Sequence, residues 1–280
     1  MISHHNSYKD FTTRLKLLIS KHPDLIITTL SNIFTMRLIG NKTHGDLAEI
    51  AITEFINQYM YDFRSVHVGK DLFRAKSQEE DVTIINEVTK AEFPLSLKAY
   101  GIGPLQLSTD KNFRMFPRLE KEGELILDVD TVQSVLNDPA FAEFRSVNVL
   151  PLIYDESNYL CNILVFDYDR AVRETARIVK ERGRKHPVYR FYNSSGDYIC
   201  EVRYGNAAAN ALQRGLWTHT KKGSMYFDSI TNGWINYSHN LVLVKLLSHA
   251  LVSSEKGHTT ALEQIKQDIA RLKQNTSPEQ

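Results

Sequence analysis

Long apolar runs are missing from this chain of 280 residues. No stretch of about eighteen apolar residues exists, which excludes a membrane-spanning helix of ordinary length. Cysteine is scarce. Only Cys161 and Cys200 occur, in separate strand-like runs, and they form no CxxC-type metal pair. They are expected as core thiols rather than as ligands or a disulfide. The ten histidines show no HExxH or HxH spacing. A GxSxG elbow, a Walker loop and a Cys-His nucleophile pattern are all absent. Gly101 and Gly103 form a G-x-G, but no third glycine follows at the dinucleotide-binding spacing, so a Rossmann-type site is not expected. The opening "MISHHNSYKDFTTRLKLLISKHPD" lacks the apolar centre of a signal peptide, and cytoplasmic residence is the expectation.

With 42% hydrophobic and 24% charged residues, the composition is that of an ordinary globular protein. Helical segments are expected at about Lys9–Ser20, at about Pro23–Leu38, and over "NKTHGDLAEIAITEFINQYM". In the last of these Thr43 can cap, and Leu47, Ala51, Phe55 and Tyr59 recur on one face. "DVTIIN" and "FPLSLKAY" read as strands joined by the polar turn "EVTKAE", and their near-continuous apolar character suits strands covered on both faces. Further strands are expected in "ELILDVD", "NVLPLIY" and "YLCNILVFDYD", then a basic helix at about Arg170–Glu181. A hairpin, "VYRFYN-SSGD-YICEVRYG", opens the C-terminal third. Helices are expected after it at about Ala207–Thr220, Tyr237–Ser253 and Thr259–Asn275. The fold class is therefore α/β (α+β), with a central mixed sheet flanked by helices and a C-terminal hairpin-plus-helices subdomain. The expected division is 1–180 and 181–280, or one continuous domain.

One stretch carries the chemistry: "EFPLSLKAYGIGPLQLSTDK", Glu92 to Lys111, where an apolar strand holds a lone lysine, Lys98. A charge on such a strand costs free energy unless something needs it. Ser96 lies two residues before Lys98, so both emerge on one face of the strand. Asp81 opens the neighbouring strand, and a hairpin of this length can bring it beside them. Phosphodiester hydrolysis uses such a cluster. Carboxylates hold Mg²⁺, which prefers hard oxygen ligands, and a lysine stabilises the charge that develops on the phosphoryl oxygens.

Asp81, the S-x-K of Ser96 to Lys98 and the following "YGIGPLQ" loop resemble the PD-(D/E)xK core of type II restriction endonucleases. The similar region covers about Thr43 to Asp110, roughly a quarter of the chain. The resemblance implies a restriction-endonuclease-like core in residues 1–180, with Asp81 as the first acid and Lys98 as the lysine. Ser96 stands where the family has its second acid, and Glu80 replaces the proline before Asp81. The family often adds an acid from the preceding helix. Glu49 is the choice here, with Glu54 weaker, and Glu92 lies too far from Lys98 along the strand. Asp81 and Glu49 would then hold Mg²⁺, Lys98 would act on the nucleophile or transition state, and Ser96 would assist by hydrogen bonding.

A nuclease of this kind also needs groups that hold phosphates and read base edges. Gln106 follows the catalytic strand. Arg190 and Arg203 lie on the C-terminal hairpin, and Gln213, Arg214, Lys221 and Lys222 lie after it. The expected partner is double-stranded DNA. A palindromic target would imply a homodimer, and a DNA methyltransferase would be the genetic companion. Two other readings share the core: a DNA- or RNA-binding protein without catalysis, which the serine favours, and a structure-specific repair nuclease.

Overall fold

The chain begins with helices whose apolar faces converge on a sheet. The computed structural model describes residues 6–39, 44–68, 81–101, 103–110, 112–142, 148–182, 185–205 and 213–246, with 263 and 267. Asn6 opens α1 (Ser7–Lys21) by accepting hydrogen bonds from the N–H groups of Tyr8 and Lys9, two donors that a helix start leaves unpaired. Phe11, Leu15 and Ile19 recur at i+4 and are buried. α2 (Pro23–Ile39) starts on proline, where a missing N–H removes no helical bond. α3 (His44–Tyr59) buries Ala48, Ile52, Phe55 and Ile56.

Three strands follow: β1 (Phe63–His67), β2 (Val82–Asn86) and β3 (Glu92–Gly101). Next come β4 (Pro104–Thr109), α4 (Met115–Glu122), β5 (Leu125–Ile126), α5 (Val129–Leu136) and α6 (Pro139–Ala142). The chain then forms β6 (Asn148–Asp155), β7 (Leu160–Phe166) and α7 (Tyr168–Glu174). β8 (Arg177–Glu181), β9 (Val188–Tyr192), β10 (Tyr198–Tyr204) and β11 (Arg214–His219) precede the short β12 (Phe227–Ser229) and β13 (Ile235–Asn236). The last described helix, α8, covers residues 241–246.

These strands divide between two sheets. The first has seven strands in the order β1-β2-β3-β6-β7-β12, with β13 also paired to β7. β1, β2 and β3 form an antiparallel meander, whereas β3 and β6 are parallel and need the helical crossover between them. Val82, Ile84, Leu95, Leu97, Leu150 and Leu152 share a core with residues of α1, α2 and α3. Leu95 and Leu97 face the helices, so Ser96 and Lys98 alternate to the opposite face.

The second sheet has six strands in the order β4-β11-β10-β9-β8-β5, and a separate core. α4, α5 and α6 contribute Phe116, Leu119, Val135 and Phe141 to it, and the strands contribute Leu105, Tyr189, Phe191 and Ile199. Sequence position 180 thus falls inside this sheet, which draws β4 and β5 from before it and β9 to β11 from after it. Thr220 fastens the passage from β3 into β4: Gly103 N–H donates to Thr220 Oγ1 (3.3 Å) and Thr220 N–H to the Gly103 carbonyl (3.2 Å). Gly215 is required where β11 crosses β4, because a Cβ there would meet the Ser108 carbonyl oxygen at 2.0 Å.

The mixed α/β character, the apolar hairpin of β2 and β3, and the C-terminal hairpin of β9 and β10 agree with the sequence. Several elements differ. The helix expected at Ala207–Thr220 is strand β11 from Arg214 onward, and 207–212 lie outside the described residues. The basic helix expected to Glu181 ends at Glu174, and β8 follows, paired to β9. "ELILDVD" is a strand only at Leu125–Ile126, because Asp128 turns to cap α5 by accepting from Thr131 N–H. The expected helix Tyr237–Ser253 starts later: Asn240 Oδ1 accepts from Leu243 N–H, and residues beyond 246 lie outside the described set. The helix expected at Thr259–Asn275 also lies outside it, apart from 263 and 267. Cys161 and Cys200 are free and buried, and burial pushes both thiols well up. No described helix is long and apolar enough to cross a membrane.

Candidate active site

A polar stripe ties α3 to β1. Asn57 donates to the Ser65 carbonyl (3.0 Å) and accepts from the Ser65 N–H (2.8 Å), while Ser65 Oγ donates to the Thr53 carbonyl (2.7 Å). Residues 49, 53 and 57 are spaced four apart and share that stripe. Glu49 therefore stands over the far end of β1, where its Oε2 lies 3.2 Å from His67 Nε2. His67 is the register partner of Val82, the residue after Asp81.

Asp81 is fixed from both sides. Its carbonyl accepts from Val68 N–H (3.1 Å) and its N–H donates to the Leu95 carbonyl (3.2 Å). Its side-chain Oδ2 accepts from Ser96 Oγ at 2.9 Å and from Leu97 N–H at 2.8 Å. Oδ1 accepts no hydrogen bond from any described residue. The serine at the expected second-acid position is thus a donor to the first acid. A carboxylate there would set like charge against Asp81.

Glu49 feels the same negative charge. Burial holds its carboxyl above the usual glutamate range, the charge of Asp81 raises it further, and His67 opposes both. The two carboxylates are thus close enough for the charge of Asp81 to be felt at Glu49. Lys98 is half-buried two residues beyond Ser96 and has no hydrogen bond or ion pair with any described residue. Glu54 and Glu92 are exposed.

Among the described residues, no group of three or more His, Cys, Asp or Glu is gathered closely enough to hold a metal ion. Mg²⁺ asks for less. It is usually bound through one or two carboxylates, with water and substrate phosphate completing its shell. Asp81, anchored through Oδ2, and Glu49, raised by burial and by the charge of Asp81, are the two carboxylates that would meet that requirement.

His67 is the residue that sequence reasoning missed. A signal for it existed: β1 alternates, and Phe63 and Ser65 are buried beneath α3, which puts His67 on the same side.

The residues expected to contact DNA divide into two groups. Arg190 is ion-paired to Glu181 and, at 2.9 Å, to Glu201. Arg203 pairs with Glu201 at 3.0 Å, donates to the carbonyls of Tyr204 and Gly205, and lies over the Trp217 ring. Arg214 is buried, donates to the Asp110 carbonyl at 2.7 Å and lies over Phe113. Gln106 donates to Thr109 Oγ1 at 3.2 Å. Gln213, Lys221 and Lys222 are exposed. No protein-family model matches the chain, and no match was found among curated proteins or among solved structures.

Proposed function

We propose that this protein is a Mg²⁺-dependent endonuclease of the type II restriction class, cutting phosphodiester bonds in double-stranded DNA. The observation that carries the reading is Asp81: one oxygen is held by Ser96 and Leu97, the other accepts from no described residue, and its charge disturbs Glu49. The sheet supports it. The meander carries Asp81 and Lys98 on adjacent strands, and α3 brings Glu49 to the same end of β2 from the helix-covered side, opposite the face of Ser96 and Lys98.

In this reading Asp81 Oδ1 and the Glu49 carboxylate hold the ion. When bound, Mg²⁺ supplies charge neutralisation at the phosphate and an acidified water. Ser96 keeps Asp81 oriented by donating to its other oxygen, and this replaces the missing acid in position though not in charge. Lys98 presents its ammonium to the phosphoryl oxygens as negative charge develops on them. His67 holds Glu49 against rotation. Gln213, Lys221 and Lys222 supply sequence-independent grip on the backbone, while Arg190, Arg203 and Arg214 serve the second sheet. Cytoplasmic residence, a homodimer on a palindromic target and a companion methyltransferase belong to the same proposal.

Plasmid digestion with and without Mg²⁺ tests it. Discrete fragments that need Mg²⁺ are expected from the wild type. A mobility shift without cutting would overturn the enzymatic reading in favour of a DNA-binding protein, and cuts confined to ends or junctions would indicate a repair nuclease.

A further inference from the structure

A cleft of about 590 Å³ opens on the face of the first sheet that carries Lys98. Its floor includes Ile153, Asn162 and Leu164, and its wall comes from Lys221, Phe227 and Trp234. The volume lies within the range of small-ligand sites, about 300–1,000 Å³. Three features define what it would take. Trp234 is 45% exposed although large and apolar, and its indole borders the cleft. Asn162 is only 6% exposed. Its Oδ1 accepts from Ser229 Oγ (2.8 Å) and Thr231 Oγ1 (2.9 Å), which turns Nδ2 the other way, and Nδ2 has no partner among the described residues. Lys221 is exposed at the rim. Asp155 also borders the cleft; its carboxylate accepts from Ser157 N–H, Asn158 N–H and Asn158 Nδ2 within its own loop, and it also feels the charge of Lys221.

We propose that this cleft is a nucleotide site: Trp234 stacks on the base, Asn162 Nδ2 donates to an acceptor on the base edge, and Lys221 meets the attached phosphate. An aromatic face with a single directed amide suits a planar heterocycle, and the rim ammonium suits an anion that stays in water. The register places the cleft beside the catalytic lysine. Lys98 pairs with Pro151, and the β6–β7 register carried one residue further sets Pro151 opposite Leu164 on the cleft floor. Two strand spacings make that separation roughly 10 Å, or about three base rises along a stacked strand. The occupant is therefore a nucleotide of the strand held at Lys98, so the inference rests on the nuclease reading for its source though not for its chemistry.

Fluorescence of Trp234 tests it on the full chain, since the other tryptophan, Trp217, is buried. The ligands are the four deoxynucleoside monophosphates, thymidine, inorganic phosphate and a mixed-sequence oligonucleotide of about twelve residues with Ca²⁺ in place of Mg²⁺. Saturable quenching by nucleotides is expected. Lys221→Glu should weaken the monophosphates and leave thymidine unchanged, a split that misfolding would not produce. Trp234→Leu, followed by equilibrium dialysis, should weaken nucleotide binding by about 5- to 100-fold, the scale of one lost base stack. Tighter binding of the oligonucleotide than of the monophosphates assigns the site to a DNA strand, and equal binding assigns it to free nucleotide. No saturable quenching by any nucleotide or by the oligonucleotide overturns the site, as does a response to inorganic phosphate alone. Plasmid cutting by a wild type that fails both arms would leave the nuclease standing without this cleft. Nucleotide binding by a protein that never cuts would do the reverse.

Discussion

The two sheets treat charge in opposite ways. On the second, Gln106, Trp217, Glu201 and Arg190 stand in one cross-strand row, with Arg203 packed against it. Glu201 is 6% exposed and is held by both arginines, so its buried charge is neutralised by fixed partners. On the first sheet, Asp81 Oδ1 accepts from no described residue, Glu49 is raised by burial and then by the charge of Asp81, and Lys98 makes no hydrogen bond or ion pair with a described residue. Charge that the fold satisfies internally holds the fold. In the proposed reading, charge left without a described partner is what meets the phosphate and the cation.

The largest effect should come from breaking the unsatisfied side. Asp81→Ala and Lys98→Ala are each expected to lower cleavage by at least about 10²-fold, the scale of losing one transition-state stabiliser, while DNA retention in gel shifts stays close to wild type. Timed plasmid digestion measures this, and cutting by Asp81→Ala at the wild-type rate would remove the proposed ion site. Lys98→Ala should keep the wild-type melting temperature, whereas Asp81→Ala leaves Ser96 Oγ and Leu97 N–H without their acceptor and should lower stability by about 1–3 kcal/mol. The satisfied side should behave in the reverse way. Arg190→Ala combined with Arg203→Ala leaves Glu201 buried without a cation, at a cost of about 3–5 kcal/mol in a urea melt. If the doubly substituted protein melts like wild type but no longer binds DNA, the two regions have been assigned the wrong way round.

Ser96→Ala sharpens the comparison at smaller scale. It removes one of two donors to Asp81 Oδ2 and leaves the Leu97 N–H in place. One such hydrogen bond contributes about 1 kcal/mol, so cleavage should fall roughly fivefold with little change in DNA binding. A rate unchanged by Ser96→Ala would show that the Leu97 N–H alone orients the acid.

The same contrast explains what could be read from the residues. β2, β3, β6, β7 and the β9–β10 hairpin were legible because apolar runs end in strong turns such as "DESN" and "SSGD", where Gly196 takes φ 87°. Asp81 beside Ser96 was legible because a short hairpin fixes its own register. β4, β8 and β11 were not. Their local composition is that of a loop or a helix, glycine before β4 and proline at its start and Arg-Lys-Glu in β8, and they are strands because each has a partner distant in sequence, β4 with β11 and β8 with β5. The fate of the arginines was hidden for a related reason. Nothing local announces that Arg190 and Arg203 converge on Glu201, since that meeting depends on the register of two strands. His67 escaped notice because its partner arrives from a helix eighteen residues away.

The smallest effect concerns Glu49, and its sign is fixed by what shifts the group. Burial first, and then the charge of Asp81, raise its folded value above the ordinary glutamate range. Between the unfolded value and the raised folded one, the native state therefore holds more proton than the unfolded chain, and stability falls as pH rises through that window. Glu49→Gln carries no such proton. It should match the wild type at low pH and become the more stable of the two above the window, with the difference levelling off towards neutrality. Mg²⁺ should act in the opposite sense, because it binds the deprotonated pair and competes with the proton. Its addition should raise the wild-type melting temperature more at neutral pH than in acid, and Glu49→Gln should blunt that gain. A wild type whose melting temperature responds to Mg²⁺ equally at both pH values would detach the ion from Glu49 and leave Asp81 to hold it alone.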